Sequence, residues 1–188
     1  IFELKGCSVK IIKNNGKKIS ANQSILEVKG TPYSILSCER TVLNLLSRMC
    51  GIANETNHLV KLLQKNNSKS KLFATRKTAP GLRYFDKIAV ETGGGNKHRM
   101  TLDDMIMFKD NHLAIEKSIF SLIKKAKKSG HKIEVEVESE KDAILVATLG
   151  VDIIMLDNFT PKQINNTIKN LQKLNLRRNV KLEASGQI

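Results

Sequence analysis

The chain has 188 residues, a formal net charge of +14, a hydrophobic fraction of 40% and an aromatic fraction of 4%. That length holds one domain or one and a half with a real core; the longest apolar runs, such as "VDIIML", are far too short to cross a bilayer, and nothing resembles a secretory signal. With no tryptophan the chain offers no stacking platform for single strands, so the charge reads as a lysine-rich solvated surface, a phosphate-neutralising face, or cations for a small polyanionic substrate.

Three cysteines, Cys7, Cys38 and Cys50, form no CxxC and fit a reducing compartment, the cytoplasm. His58, His98, His112 and His131 have no zinc-ligand spacing. From Ile1 to about Ser37 the chain reads as short strands separated by turns, one of them at Asn14, Asn15 and Gly16. Val42, Leu45, Leu46, Met49 and Ile52 then recur at helical spacing. Ser37 is a candidate N-cap, and Gly51 interrupts the pattern, giving one long helix or two abutting ones.

From Lys71 onward apolar runs alternate with amphipathic stretches. "KLFAT" leads to "RYFDKIAVET", "MIMFK" to "IEKSIFSLIKKAKK", "KIEVEVE" to "EKDAILVATL" and "VDIIMLD" to "TPKQINNTIKNLQKL"; "VKLEAS" opens a further unit. Helices that close on glycine and feed a strand are the signature of an α/β fold, so five strands in a row predict a (β/α) barrel or a doubly wound sheet. The polar residues fall at the carboxyl ends of these strands: Arg76 and Lys77, Lys109 and Asp110, Glu136 and Glu138, Asp157 and Asn158, Ser185 and Gly186. In parallel α/β folds ligands bind at that end. Each residue also has a plainer explanation. Asp157 or Asn158 would cap the next helix, the glutamates of "IEVEVE" would lie solvated on an edge strand, and the lysines would sit in solvated loops.

"GGGNKHRM", Gly93 to Met100, lacks the GK[ST] ending of a Walker loop. It also follows a helix rather than a strand, so it is no dinucleotide fingerprint. Backbone amides of such a loop can hold an anion, while its glycines would let His98 and Arg99 approach a ligand closely.

The run "TRKTAPGLRYFDKIAVETGGGNKHRMTLDDMIMFKDNH", with "ERTVLNLLSRMCGIA", "EVEVES", "IIMLDN" and "EASG" in the same order, resembles the quinolinate phosphoribosyltransferases over nearly the whole chain. The resemblance implies residues 1–70 as part of an α+β sandwich with connecting helices. Residues 71–188 would be a (β/α) barrel-like domain, incomplete at its C-terminal end. It implies decarboxylating transfer of phosphoribosyl from 5-phosphoribosyl-1-pyrophosphate to quinolinate, in NAD biosynthesis, with Mg2+. Arg76, His98 and Arg99 would bind the quinolinate carboxylates, and Arg40 would reach them from a neighbouring subunit of a homodimer or larger homo-oligomer. Lys77 and Lys109 would hold the pyrophosphate. Glu136 and Asp157 would lie near the ribose hydroxyls and the magnesium, in part through water, and Ser185 and Gly186 would form part of the 5′-phosphate pocket. Neither nucleic acid nor membrane is an expected partner.

The chain departs from the family's pattern in three respects. It lacks the start of the sandwich and the strands after "EASG". Gln187 stands where a second glycine is usual, and Lys97 where many members carry Asn. Three alternatives compete: a molybdenum-associated relative acting on another aromatic acid, a basic nucleic-acid-binding protein, and an inactive truncated homologue. The set Arg76, His98 and Arg99 favours a dicarboxylate over the first.

Overall fold

A computed structural model describes residues 1–66, 68–116 and 118–186, and the chain divides into two units, Ile1–Met100 and Thr101–Ile188. In the first unit β1 (Ser8–Ile11) pairs antiparallel with β2 (Leu26–Lys29), Ser8 opposite Lys29. A single helix α1 then runs from Pro32 to Lys65. Thr31, not Ser37, caps it. The Thr31 hydroxyl accepts from the Ser34 amide at 3.2 Å, and Pro32 occupies the first turn, where its missing N–H costs nothing. Ser37 lies inside the helix and donates to the Ser34 carbonyl, and Gly51 is carried through without a break.

α1 packs against α2 (Arg83–Thr92). The chain leaves α2 through the three glycines, and packing explains two of them. A Cβ on Gly93 would stand 2.4 Å from the Ala53 carbonyl oxygen, and one on Gly95 would stand 2.7 Å from Val90 Cγ1 and 3.0 Å from Thr56 Cγ2. Gly94 has φ +96°, a conformation that side chains resist. The glycines thus let the turn after α2 lie directly on α1, which sequence spacing alone did not reveal. "KLFAT", expected as a strand, makes only one parallel bridge, Phe73 to Asn96, with Ala74 donating to the Asn96 carbonyl and Asn96 to that of Leu72, both at 2.8 Å. Pairing stops there because the partner segment turns left-handed at His98 (φ 54°).

The second unit is a parallel sheet of β3 (Ile106–Phe108), β4 (Ile133–Val137), β5 (Ile153–Asp157) and β6 (Lys181–Ser185), neighbours in chain order. Four strands form this sheet, where five in a row were expected from Lys71 onward. A doubly wound sheet reverses its strand order part-way, whereas a barrel does not, so the unbroken order identifies a barrel-type (β/α) arrangement. Helices α3 (Asp110–Ile115) and α4 (Ile119–Lys127) follow β3, where the sequence suggested one helix from Ile115. The Ser118 hydroxyl starts α4 by accepting from the Ser121 amide. α5 (Glu140–Thr148) and α6 (Pro161–Lys173) follow β4 and β5. Gly130 and Gly150, both at positive φ, turn the chain after α4 and α5, and Asn175 does the same after α6.

Side-chain alternation gives the sheet two unlike faces. Phe108, Ile133, Val135, Val137, Ile154 and Leu156 face the helices and form the core with Ile123, Ala143, Val146 and Leu171. The opposite face carries Met107, Glu134, Glu136, Met155, Asp157, Glu183 and Ser185, by strand register. Among the described residues no helix is long and apolar enough to cross a membrane.

Candidate functional site

The polar face of the sheet supplies one group of candidate residues. Phe108 pairs with Val135, so Lys109 emerges level with Glu136, and the Lys109 ammonium donates to the Glu136 carboxylate. Glu136 pairs with Met155, Met155 with Glu183, and Asp157 with Ser185. Lys109, Glu136, Asp157 and Ser185 therefore converge on the carboxyl ends of adjacent strands, as the sequence predicted. The Glu136 side chain is 14% exposed against 38% for Lys109, so the pair joins a sheltered carboxylate to a cation that solvent can reach.

Asp157 does not cap the following helix. Thr160 does, in a reciprocal box with Gln163 that leaves both Asp157 and Asn158 out. Instead the Asn158 side-chain amide donates to the Asp157 carboxylate at 2.8 Å, and the Asn158 backbone amide donates to the Ser185 carbonyl at 2.8 Å. Asn158 (φ 55°) and Gly186 (φ 113°) are both left-handed, so the ends of β5 and β6 are locked to one another. Gln187, read as a departure from the family's phosphate loop, lies outside the described residues. The edge-strand explanation of "IEVEVE" also fails: β4 is flanked by β3 and β5, and Glu134 is fully buried.

The first unit supplies the second group. Arg76 and Lys77 lie in the loop after Phe73. Arg76 is half-buried, and its Nε is buried without a hydrogen-bond partner among the described residues; Lys77 is exposed. His98 and Arg99 are half-buried, and the His98 ring meets Phe73 edge-on at 5.9 Å. Arg40 is exposed on α1.

The charges that hold this second group escaped sequence reading. Asp86 on α2, 5% exposed, receives both Nε (2.7 Å) and Nη2 (2.8 Å) of Arg48 from α1, and also the Ala79 amide at 3.2 Å. The Arg48 hydrogen bonds are the main cause holding the Asp86 carboxyl below its usual range, against the opposing effect of burial. Lys87, the next residue, is fully buried and donates to the carbonyls of Lys97 (2.5 Å) and Arg99. Nothing in the helical spacing of "RYFDKIAVET" distinguishes these two charges from solvated ones. Glu134 and Glu183 were missed as well, although period-two alternation from Glu136 places Glu134 on the polar face. All three cysteines are free thiols, Cys7 and Cys38 buried and Cys50 exposed.

Comparison with known proteins agrees with the fold. The profile of the quinolinate phosphoribosyl transferase C-terminal domain matches residues 52–188, and that of the N-terminal domain matches residues 1–50. The chain is 42% identical over 188 residues to a probable nicotinate-nucleotide pyrophosphorylase (carboxylating) of Archaeoglobus fulgidus, covering 100% of this chain and 73% of that protein. It is 34% identical over 191 residues to the nicotinate-nucleotide pyrophosphorylase (carboxylating) of Rattus norvegicus, covering 100% and 63%. The crystal structure of NadC from Streptococcus pyogenes superposes with a TM-score of 0.87 at 38% identity, covering all of this chain and 66% of that one. The chain thus spans about two thirds of the length of the relatives it matches.

Proposed function

This chain belongs to the quinolinate phosphoribosyl transferase family, and from that premise we propose that it catalyses the family's decarboxylating transfer of phosphoribosyl from 5-phosphoribosyl-1-pyrophosphate to quinolinate in NAD biosynthesis, in the cytoplasm. The observation that carries the proposal is Lys109 held against Glu136, with Asp157 and Ser185 beside them at the carboxyl ends of adjacent strands. One sheet edge thereby offers a cation for a leaving pyrophosphate and carboxylates for a ribosyl cation.

The pyridine nitrogen of quinolinate is itself the nucleophile, so no serine, cysteine or general base is required. Its lone pair forms the bond to the ribose anomeric carbon as the bond to pyrophosphate breaks. Positive charge develops on the ribose, as in glycoside cleavage. Lys109 and Lys77 stabilise the departing pyrophosphate, while Glu136 and Asp157 face the ribosyl charge. The cationic ring nitrogen then stabilises the electron pair left on the neighbouring ring carbon as its bond to the carboxylate breaks; carbon dioxide leaves, and that carbon takes a proton from water to give nicotinate mononucleotide. Arg76, His98 and Arg99 bind the two quinolinate carboxylates; the buried Arg76 Nε is a donor suited to such an anion. Ser185 and Gly186 line the 5′-phosphate pocket.

Glu136 and Asp157 offer hard oxygen donors on one sheet face, which fits Mg2+ bound in part through water. When bound, the ion neutralises charge on the pyrophosphate. Arg40 acts on the site of a partner subunit in a homo-oligomer. The test is turnover by the full-length protein with quinolinate against nicotinate, each with and without Mg2+. Quinolinate turnover that needs the metal supports the proposal; equal turnover of both acids overturns the carboxylate assignment.

A further inference from the structure

The polar residues of α2 divide a task between them. Asp86 and Lys87 are adjacent in sequence, both buried, and of opposite charge, and the bonds described above take them to different segments. Asp86 is fixed to α1 through both nitrogens of Arg48, and with its Oδ2 it takes the amide of Ala79. Ala79 closes the short loop that carries Arg76 and Lys77. Within that loop the Thr78 backbone amide donates to the Arg76 carbonyl at 2.9 Å and the Lys77 backbone amide donates to the Thr75 hydroxyl at 3.0 Å. Lys87 reaches the other way. Its ammonium takes the carbonyls of Lys97 and Arg99, the residues on either side of His98. Holding these carbonyls fixes the peptide plane before His98 and the one after Arg99, on either side of a residue whose φ of 54° is uncommon outside glycine.

We infer that Asp86 and Lys87 are positioning residues: one helix step sets the Arg76–Lys77 loop and the His98–Arg99 segment at a fixed spacing, so that their cations meet an aromatic dicarboxylate without reorganisation. This rests on the reading of those four residues as anion binders. A buried ammonium and a buried carboxylate are costly to keep, and apolar residues would pack α2 on α1 as well. Charged groups here instead fix backbone orientation, which apolar packing does not. The two charges have separable targets. Lys87 holds the segment assigned to quinolinate, whereas Asp86 holds a loop assigned to both substrates through Arg76 and Lys77.

The experiment uses the full-length protein, with wild type, Lys87→Gln and Asp86→Asn measured for KM toward each substrate, kcat and melting temperature. Lys87→Gln should raise the KM for quinolinate about ten- to a hundredfold, as expected for misplaced binding groups, and leave the KM for 5-phosphoribosyl-1-pyrophosphate unchanged. Asp86→Asn should raise both. A lower melting temperature and lower apparent kcat with both KM values unchanged would mean that the pair only supports folding, and would overturn the inference. Should Lys87→Gln not fold, the Asp86→Asn values decide alone: both KM values raised supports the inference, and neither raised overturns it. Absence of quinolinate turnover in folded wild type would instead overturn the proposed function, a separate outcome.

Discussion

Asn158 leaves no room for a side chain on Gly186. A Cβ there would stand 2.2 Å from Asn158 Oδ1 and 2.8 Å from the Asn158 backbone nitrogen, and the φ of 113° disfavours any residue but glycine. Gly186→Ala is expected to cost about 1–3 kcal/mol from the backbone conformation alone. It should also raise the KM for 5-phosphoribosyl-1-pyrophosphate more than that for quinolinate. The double variant with Asn158→Ala removes the Oδ1 clash but not the one with the backbone nitrogen, so steady-state kinetics and thermal melts should show only partial recovery.

Substitution at Lys109 separates the catalytic role proposed for it from its contribution to stability. The lysine is more than a third exposed, so the pair contributes no more than about 1 kcal/mol to folding. Lys109→Met should therefore melt close to wild type. Its kcat should fall about 100- to 1,000-fold if the ammonium stabilises the leaving pyrophosphate. A kcat within threefold of wild type (roughly 0.6 kcal/mol of barrier) would remove Lys109 from the mechanism.

The Arg48–Asp86 pair makes stability depend on pH. Asp86 has a folded pKa below its unfolded value, chiefly through the hydrogen bonds from Arg48. A depressed carboxyl stabilises the fold above the unfolded pKa, and the gain is lost as pH falls through the folded one. Arg48→Ala should lower the urea midpoint at pH 7. The gap from wild type should close in acid, below the ordinary aspartate range near about 4. A gap that persisted unchanged to low pH would assign the loss to packing rather than to the ion pair.

Gly93 and Gly95 should respond to alanine in the opposite direction from Gly51. Gly93→Ala and Gly95→Ala meet backbone or branched side chains at 2.4 and 2.7 Å, and each should destabilise by about 1–3 kcal/mol through overpacking. Gly51 lies inside α1 with nothing within 4 Å of a new Cβ. There alanine should stabilise by about 0.5–1 kcal/mol. Thermal or denaturant unfolding of the three variants checks the order.

Arg40 is exposed on α1, and its proposed action on a partner subunit's site can be tested by complementation. For a homodimer with shared sites, as proposed above, the Arg40→Ala and Lys109→Ala proteins should each be inactive alone. Mixed under subunit exchange, they should regain up to about a quarter of wild-type activity, because about half the dimers are mixed and each of those has one intact site. No recovery despite confirmed exchange would mean that Arg40 acts in its own subunit or not at all.

Much of this protein was legible without coordinates. The apolar runs and helical stretches after Met105, with turns at Gly130 and Gly150, specify βα units through local periodicity and left-handed turn residues. Lys109, Glu136, Asp157 and Ser185 could be placed at strand ends because a strand's end is a local property. Tertiary structure decided what depends on partners far away in sequence. The helices bury one sheet face, and that burial assigns Glu134, Glu136 and Glu183 to the other. "KLFAT" has the composition of a strand, but its partner turns away at His98 after a single bridge. Gly93 and Gly95 are glycine because α1 passes within contact distance, which no spacing around them reveals. Asp86 and Lys87 sit in a helix whose pattern reads as an exposed polar face. Only the packing of α1 and the path of residues 97–99 convert them from solvated charges into buried ones with fixed partners, because burial makes a charge hold whatever satisfies it.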